Sequence, residues 1–139
     1  MKTLGIEIKG RKVIIVALEK VGGVITDITG TYKPIELEND TEAQNLRMFK
    51  DTLLACFDNF SPDAIVIKYR NPKGKGDRAP SPISFKIEGI IQLYEHCPIL
   101  MVFPQTISAY FKKNRISLNA KYTYQNDALK YAYYYLSNN

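Results

Sequence analysis

Thr3-Leu4-Gly5-Ile6-Glu7-Ile8-Lys9-Gly10, followed closely by Val13-Ile14-Ile15-Val16-Ala17-Leu18, decides the fold class of this chain. In the first stretch Leu4, Ile6 and Ile8 alternate around Gly5 and Glu7, the period-two pattern of a strand. Gly10 marks a turn. The second stretch is a nearly continuous apolar run, as expected of a strand covered on both faces. Gly22-Gly23 predicts a hairpin turn, and the β-branched segment from Val24 to Lys33 completes a three-strand meander before Pro34.

Beyond the meander the pattern changes to alternation of helices and strands. Asn39-Asp40-Thr41 offers N-caps, with Thr41 and Gln44 placed for a capping box. Leu46, Phe49, Leu53, Phe57 and Phe60 then recur at helical spacing. Ala64 to Ile67 predicts a short buried strand. A polar basic loop follows, from Lys68 to Arg78. Ser81-Pro82 starts a second helix, with serine as cap and proline at the first helical position. A fifth strand is expected from Pro98 to Phe103, a short helix from Pro104 to Phe111, and a last helix from about Thr123 to Leu136. The order β-β-β-α-β-α-β-α-α defines an α/β fold: a five-stranded mixed sheet, three strands in an antiparallel meander plus parallel strands, flanked by helices.

The 139 residues leave room for a single domain spanning 1–139. Hydrophobic residues make up 45% and charged residues 24%, an ordinary globular balance that argues against disorder. The net charge of +5 suits a polyanionic partner, although many basic domains bind no nucleic acid. Cys56 and Cys97 lie in apolar contexts, and with one histidine, His96, they write no zinc signature. They are expected to be buried reduced thiols. No apolar run approaches the ~20 residues that span a bilayer. With no signal-peptide pattern at the start, a cytoplasmic location is the expectation.

The element order and several motifs resemble the RNase H-like superfamily, in particular RuvC-type Holliday-junction resolvases and their YqgF relatives. The residues concerned are Leu4 to Gly10, Phe85-Lys86-Ile87-Glu88-Gly89, Phe103-Pro104-Gln105-Thr106-Ile107 and Asn126-Asp127-Ala128-Leu129-Lys130-Tyr131-Ala132. Gly5 to Gly10, Lys73-Gly74-Lys75 and Phe85 to Glu88 are more similar still to the motifs of a bacterial family of unknown function with this fold. The resemblance implies an RNase H-like fold. It also implies, where the acidic site is intact, Mg²⁺ or Mn²⁺ held by several carboxylates for phosphodiester hydrolysis. Otherwise no cofactor is implied.

Carried over residue by residue, Glu7 takes the first acidic position and Asp127 the one in the last helix. These two are the candidate metal ligands and, with Glu88 as a substitute, the candidate catalytic residues. The acid expected at the end of the fourth strand is missing: Lys68-Tyr69-Arg70 follows the strand, and relatives carry a Glu where Tyr69 stands. Each candidate has an ordinary alternative. Glu7 also fits an exposed sheet face or a lysine partner, Asp127 a helix N-terminus favoured by the dipole, and Glu88 solvent or a lysine. The basic loop, Lys68, Arg70, Lys73, Lys75 and Arg78, is the candidate phosphate-binding element, or else a solvated charged loop. Lys112, Lys113 and Arg115 form a second basic group expected near the same end of the sheet, with Lys121 further on. Tyr131, Tyr134 and Tyr135 fit a core, whereas Tyr124 and Tyr133 are expected at the surface, where an interface or base stacking would use them.

Three functions fit this pattern: a nucleic-acid-associated protein with a degenerate site and weak or no cleavage, an active Mg²⁺-dependent endonuclease of resolvase type, and a protein-interaction module that keeps only the fold. The partners expected are DNA or RNA, with a homodimer as the further option and no membrane.

Overall fold

The computed structural model describes residues 1–74 and 80–139. Its elements are β1 (Lys2–Lys9), β2 (Lys12–Val21), β3 (Val24–Asp27), β4 (Ile35–Glu36), α1 (Ala43–Phe60), β5 (Ala64–Lys68), α2 (Pro82–Ile91), β6 (Ile99–Val102), α3 (Pro104–Lys113) and α4 (Asn126–Ser137). A 3₁₀ turn, Thr123–Gln125, leads into α4. The sheet runs β3-β2-β1-β5-β6, with the two-residue β4 paired to the start of β2. β1 is antiparallel to β2 and parallel to β5, which is parallel to β6. The mixed sheet and its flanking helices are those read from the sequence.

Among the described residues the strands number six where five were expected. Val24 to Lys33 does not continue as one strand, because the chain leaves the ladder after Asp27. The Asp27 carboxylate accepts from the Thr29 N–H at 2.8 Å, and the Thr29 hydroxyl accepts from the Ala17 N–H at 2.9 Å. A threonine side chain thus takes over a backbone position on β2. Gly30, at φ 67°, turns the chain so that Ile35–Glu36 rejoins β2 at Lys12 and Val13.

The capping box at α1 is also absent. The Thr41 N–H and hydroxyl both donate to the Asn39 side-chain oxygen, at 3.0 and 2.8 Å, so threonine is engaged in an Asx turn. Glu42 becomes the cap residue without a side-chain bond. At α2 the expectation holds, since the Ser81 hydroxyl accepts from the Ser84 N–H and Pro82 follows.

Alternation divides the core between the two faces of the sheet. Leu4, Ile6 and Ile8 join Ile65 and Ile67 against α1 and α2, in a layer with Leu53, Phe57, Ile87 and Ile91. Ile14, Val16 and Leu18 pack against Ala128, Leu129, Ala132 and Leu136 of α4 on the other face. Val66 meets Ile107 of α3 and Tyr131 there. Cys56 is buried and Cys97 half-buried, both as free thiols. Among the described residues no helix is long and apolar enough to cross a membrane.

Gly5 sets the distance between α4 and the sheet. A Cβ there would overlap the Ala128 carbonyl oxygen and lie 2.9 Å from the Ala132 nitrogen. These are backbone atoms of a helix and cannot move aside as a side-chain tip can. Overpacking of this kind costs about 1–3 kcal/mol or more. Gly5→Ala is therefore expected to lower stability by about 3 kcal/mol in urea unfolding. Gly89→Ala, on a helix with open space around its Cβ position, is expected to leave it unchanged or raise it. Equal stability of Gly5→Ala and the wild type would contradict the close approach.

Candidate functional site

Glu7 and Gly5 share the α4-facing side of β1, because Leu4, Ile6 and Ile8 take the other side. The close approach at Gly5 brings the first turn of α4 over the strand, and Asp127 lies one residue before Ala128. The parallel register of Ile6 with Ile67 sets Lys68 beside Glu7, and alternation from Val66 turns its side chain to the same face. Three elements thus bring three charged side chains together.

The Lys68 ammonium is 3.2 Å from an Asp127 oxygen and 3.7 Å from a Glu7 oxygen. It donates a hydrogen bond to Asp127. Glu7 is largely covered, with 16% of its side chain exposed, against 44% for Asp127. Burial pushes the Glu7 carboxyl up to about 7; its hydrogen bond with Asp127 and that residue's charge add to the rise, while Lys68 and Lys9 oppose it. For Asp127 burial also disfavours the charge. The hydrogen bond from Glu7 and the bond and charge of Lys68 outweigh it, so Asp127 is lowered. Of the two, Glu7 is the carboxyl that holds a proton more readily and Asp127 the one that ionises first.

The structure does not bring Glu88 to this pair. α2 packs on the opposite face, and the Glu88 carboxylate accepts from the Arg70 guanidinium at 3.2 Å. Arg70 also donates to the Ser84 carbonyl at 3.2 Å and lies 4.5 Å from the centre of the Phe85 ring. Its side chain is 10% exposed, so its charge is spent inside the protein. Tyr69 turns away from the acids and packs on Phe103, ring centres 4.6 Å apart. The position that faces Glu7 at the end of β5 is Lys68, one residue before the tyrosine singled out from the sequence.

Lys73 is exposed on a turn in which the Asn71 side chain accepts from its N–H at 2.9 Å. Lys75 and Arg78 lie outside the described residues. An open cleft of about 620 Å³ runs from Glu7 and Lys9 past Lys68 to Asn71 and Ser81. A smaller cavity of about 190 Å³ lies on the far side of Lys68, between Pro104, Ser108, Asp127 and Lys130. α3 lines that cavity from Pro104 to Phe111, and Lys112 and Lys113 follow in its last turn. Tyr133, expected at the surface, is buried, its hydroxyl 3.1 Å from that of Ser117.

The donor set does not fit a two-metal centre. Two carboxylates converge, and among the described residues no group of three acidic, histidine or cysteine side chains forms a metal cluster. A lysine ammonium stands where a third hard oxygen ligand would be needed.

The architecture is that of an RNase H-like fold. It superposes on Thermus thermophilus RuvC solved with a Holliday junction substrate at a TM-score of 0.71, 11% identical, covering 95% of this chain and 90% of that one. It superposes on the fowlpox virus Holliday junction resolvase at 0.56, 12% identical, covering 99% of both chains. No curated protein matches the sequence. Residues 1–135 match the family described as "Protein of unknown function (DUF3010)", and the chain belongs to that family.

The raised Glu7 predicts a pH dependence. An unfolded Glu ionises near 4.5 and the folded one near 7. Between those values the native state holds a proton that the unfolded chain has released, so this contribution to stability is full below 4.5 and is lost as pH rises through 7. Glu7→Gln, which cannot ionise, lacks that loss. Urea unfolding at pH 4.5 and pH 8 is expected to show the wild type losing about 3 kcal/mol more than Glu7→Gln. Parallel pH profiles for the two proteins would contradict the raised Glu7 carboxyl.

Proposed function

We propose that the chain is a nucleic-acid-associated protein built on an RNase H-like scaffold, with weak or no nuclease activity. One observation carries this conclusion: the Lys68 ammonium is in contact with both Glu7 and Asp127. In a two-metal nuclease, cations on this face would neutralise the developing phosphate charge and make hydroxide at neutral pH. Here the pair is held by an internal cation. The fixed positive charge opposes a divalent ion by Coulomb repulsion as well as by missing ligands.

A nucleic-acid partner is supported by the net charge of +5 and by the open cleft beside the basic turn at Lys73. The fold points the same way, since both resolvases it matches have been solved with Holliday junction DNA. The proposed role of Lys68 is to keep the two acids together. Phosphate tracking falls to Lys73, with Lys75 and Arg78 as its expected companions in the loop.

Cleavage assays with Mg²⁺ and Mn²⁺ on single-stranded, duplex, branched and RNA–DNA hybrid substrates test the chemistry. Little or no wild-type cleavage is expected. Robust cleavage abolished by Glu7→Gln would overturn this function and establish a resolvase-type endonuclease. Binding is tested by titrating labelled branched DNA at several salt concentrations. The double variant Lys73→Ala/Lys75→Ala is expected to bind more weakly and to flatten the log–log salt slope by about one unit for each phosphate it no longer neutralises. No binding by the wild type would favour a protein-interaction module instead. Calorimetric titration with Mn²⁺ tests the site itself. Lys68→Glu is expected to gain affinity over the wild type, and Tyr69→Glu, which faces away, is not.

A further inference from the structure

A second cleft, of about 610 Å³, opens beside the β1–β2 turn. Lys9 and Lys12 of that turn, Lys33 of the loop before β4, and Lys121 before the 3₁₀ turn all line it. Among the described residues no carboxylate lines it and none of the four lysines forms an ion pair. Four ammonium groups around one concavity repel each other unless an anion is bound there.

The wall of the cleft is aromatic. Tyr122 and Tyr124 line it with rings nearly parallel, 4° apart, and centres 5.6 Å apart. They are 48% and 40% exposed, and the Lys121 ammonium lies over the Tyr122 ring, 5.4 Å from its centre. The segment that carries them is fixed from inside. The buried Gln125 side chain accepts from the Tyr122 N–H at 3.1 Å, and the Gln125 N–H donates to the Tyr122 carbonyl at 3.0 Å. A buried polar side chain is thus engaged in holding two exposed rings in place. The separation is too small for a base to enter between the rings, so a base stacks on an outer face of the pair, with the Lys121 ammonium beside Tyr122 placed for its phosphate.

We propose that this cleft binds a nucleotide unit of a single-stranded nucleic acid, its base stacked on the Tyr122–Tyr124 platform and its phosphates held by Lys9, Lys12, Lys33 and Lys121. Aromatic faces flanked by lysines match a planar base joined to phosphate. An unpaired base has a π-face to offer, whereas duplex bases are already stacked on one another. The volume lies within the range of small-ligand sites. Lys9 also lines the cleft that contains Glu7 and Lys68, so a strand leaving the tyrosines meets the acidic pair next. This inference deepens the proposed nucleic-acid function, yet it uses neither the Glu7–Asp127 pair nor the loop at Lys73.

Fluorescence anisotropy of a labelled single-stranded oligodeoxynucleotide of twelve thymidines tests it, with ADP as competitor to represent the free nucleotide. Tyr122→Ala/Tyr124→Ala is expected to bind about tenfold or more weakly, as removal of a stacking platform does. Tyr122→Phe/Tyr124→Phe, which keeps the rings, should stay within about threefold of the wild type. Lys33→Ala/Lys121→Ala, confined to exposed side chains, should lower the log–log salt slope by about 0.7 for each phosphate it no longer neutralises; it also serves if the alanine double variant fails to fold. Displacement of the oligonucleotide by micromolar ADP would overturn the strand and leave a free nucleotide as the ligand. Equal affinity of the alanine variant and the wild type, or an equal weakening in the phenylalanine variant, would overturn the stacking site. Binding of branched duplex without any binding of the oligonucleotide would overturn the cleft and leave the proposed function standing. Oligonucleotide binding that depends on the tyrosines but not on Lys73 and Lys75 would support the cleft and remove the loop.

Discussion

The packing of the α4 backbone into the space left by Gly5 governs the arrangement of this protein. Helices usually stand off a sheet by the length of the side chains between them. At Gly5 there is none, and the Ala128 carbonyl occupies the space a Cβ would fill. That approach places Asp127, one residue earlier on the helix, against Glu7, two residues later on the strand. Ala128 and Ala132 continue the close packing along Val16 and Leu18. A larger residue at position 5 would separate two carboxylates as well as loosen a core.

Two acids brought together at a half-buried site repel each other unless something supplies positive charge or a proton. Both remedies are present. Glu7 takes up a proton near neutrality, and Lys68 reaches Asp127 at 3.2 Å. A half-buried carboxylate pair in contact with an ammonium has its charge balanced from within the protein. The neighbouring Arg70–Glu88 pair, likewise tucked under the surface, leaves Arg70 little charge to offer a phosphate. Among the groups still open to a polyanion are exposed lysines: Lys73 at the loop, and Lys9, Lys12, Lys33 and Lys121 around the tyrosine cleft.

Much of this was legible in the sequence where a strict period was at work. Leu4, Ile6 and Ile8 alternate without exception, and Phe49, Leu53, Phe57 and Phe60 hold helical spacing, so the elements and their buried faces followed. The segment after Asp27 was not legible, because β-branched residues predict a strand until a side chain such as Thr29 replaces a ladder bond. Tyr133 was misplaced because a run of tyrosines carries no apolar period to show which face is buried. The choice between Lys68 and Tyr69 depended on strand register. A shift of one residue reverses the face a side chain meets, and only the pairing of β1 with β5 fixes it. The tyrosine cleft joins residues 9 to 124 and has no local signature, although Tyr124 alone could be marked as an exposed ring.

The central claim is that Lys68 stands in for a metal ion. A crystal soaked in Mn²⁺ and measured for anomalous scattering tests that directly, because Mn²⁺ is seen independently of any assumption about ligands. No anomalous peak is predicted between Glu7 and Asp127, with the Lys68 ammonium in contact with both carboxylates as it is here. An Mn²⁺ ion bound by both carboxylates, with Lys68 swung aside, would contradict that claim and return the site to the metal-dependent nucleases.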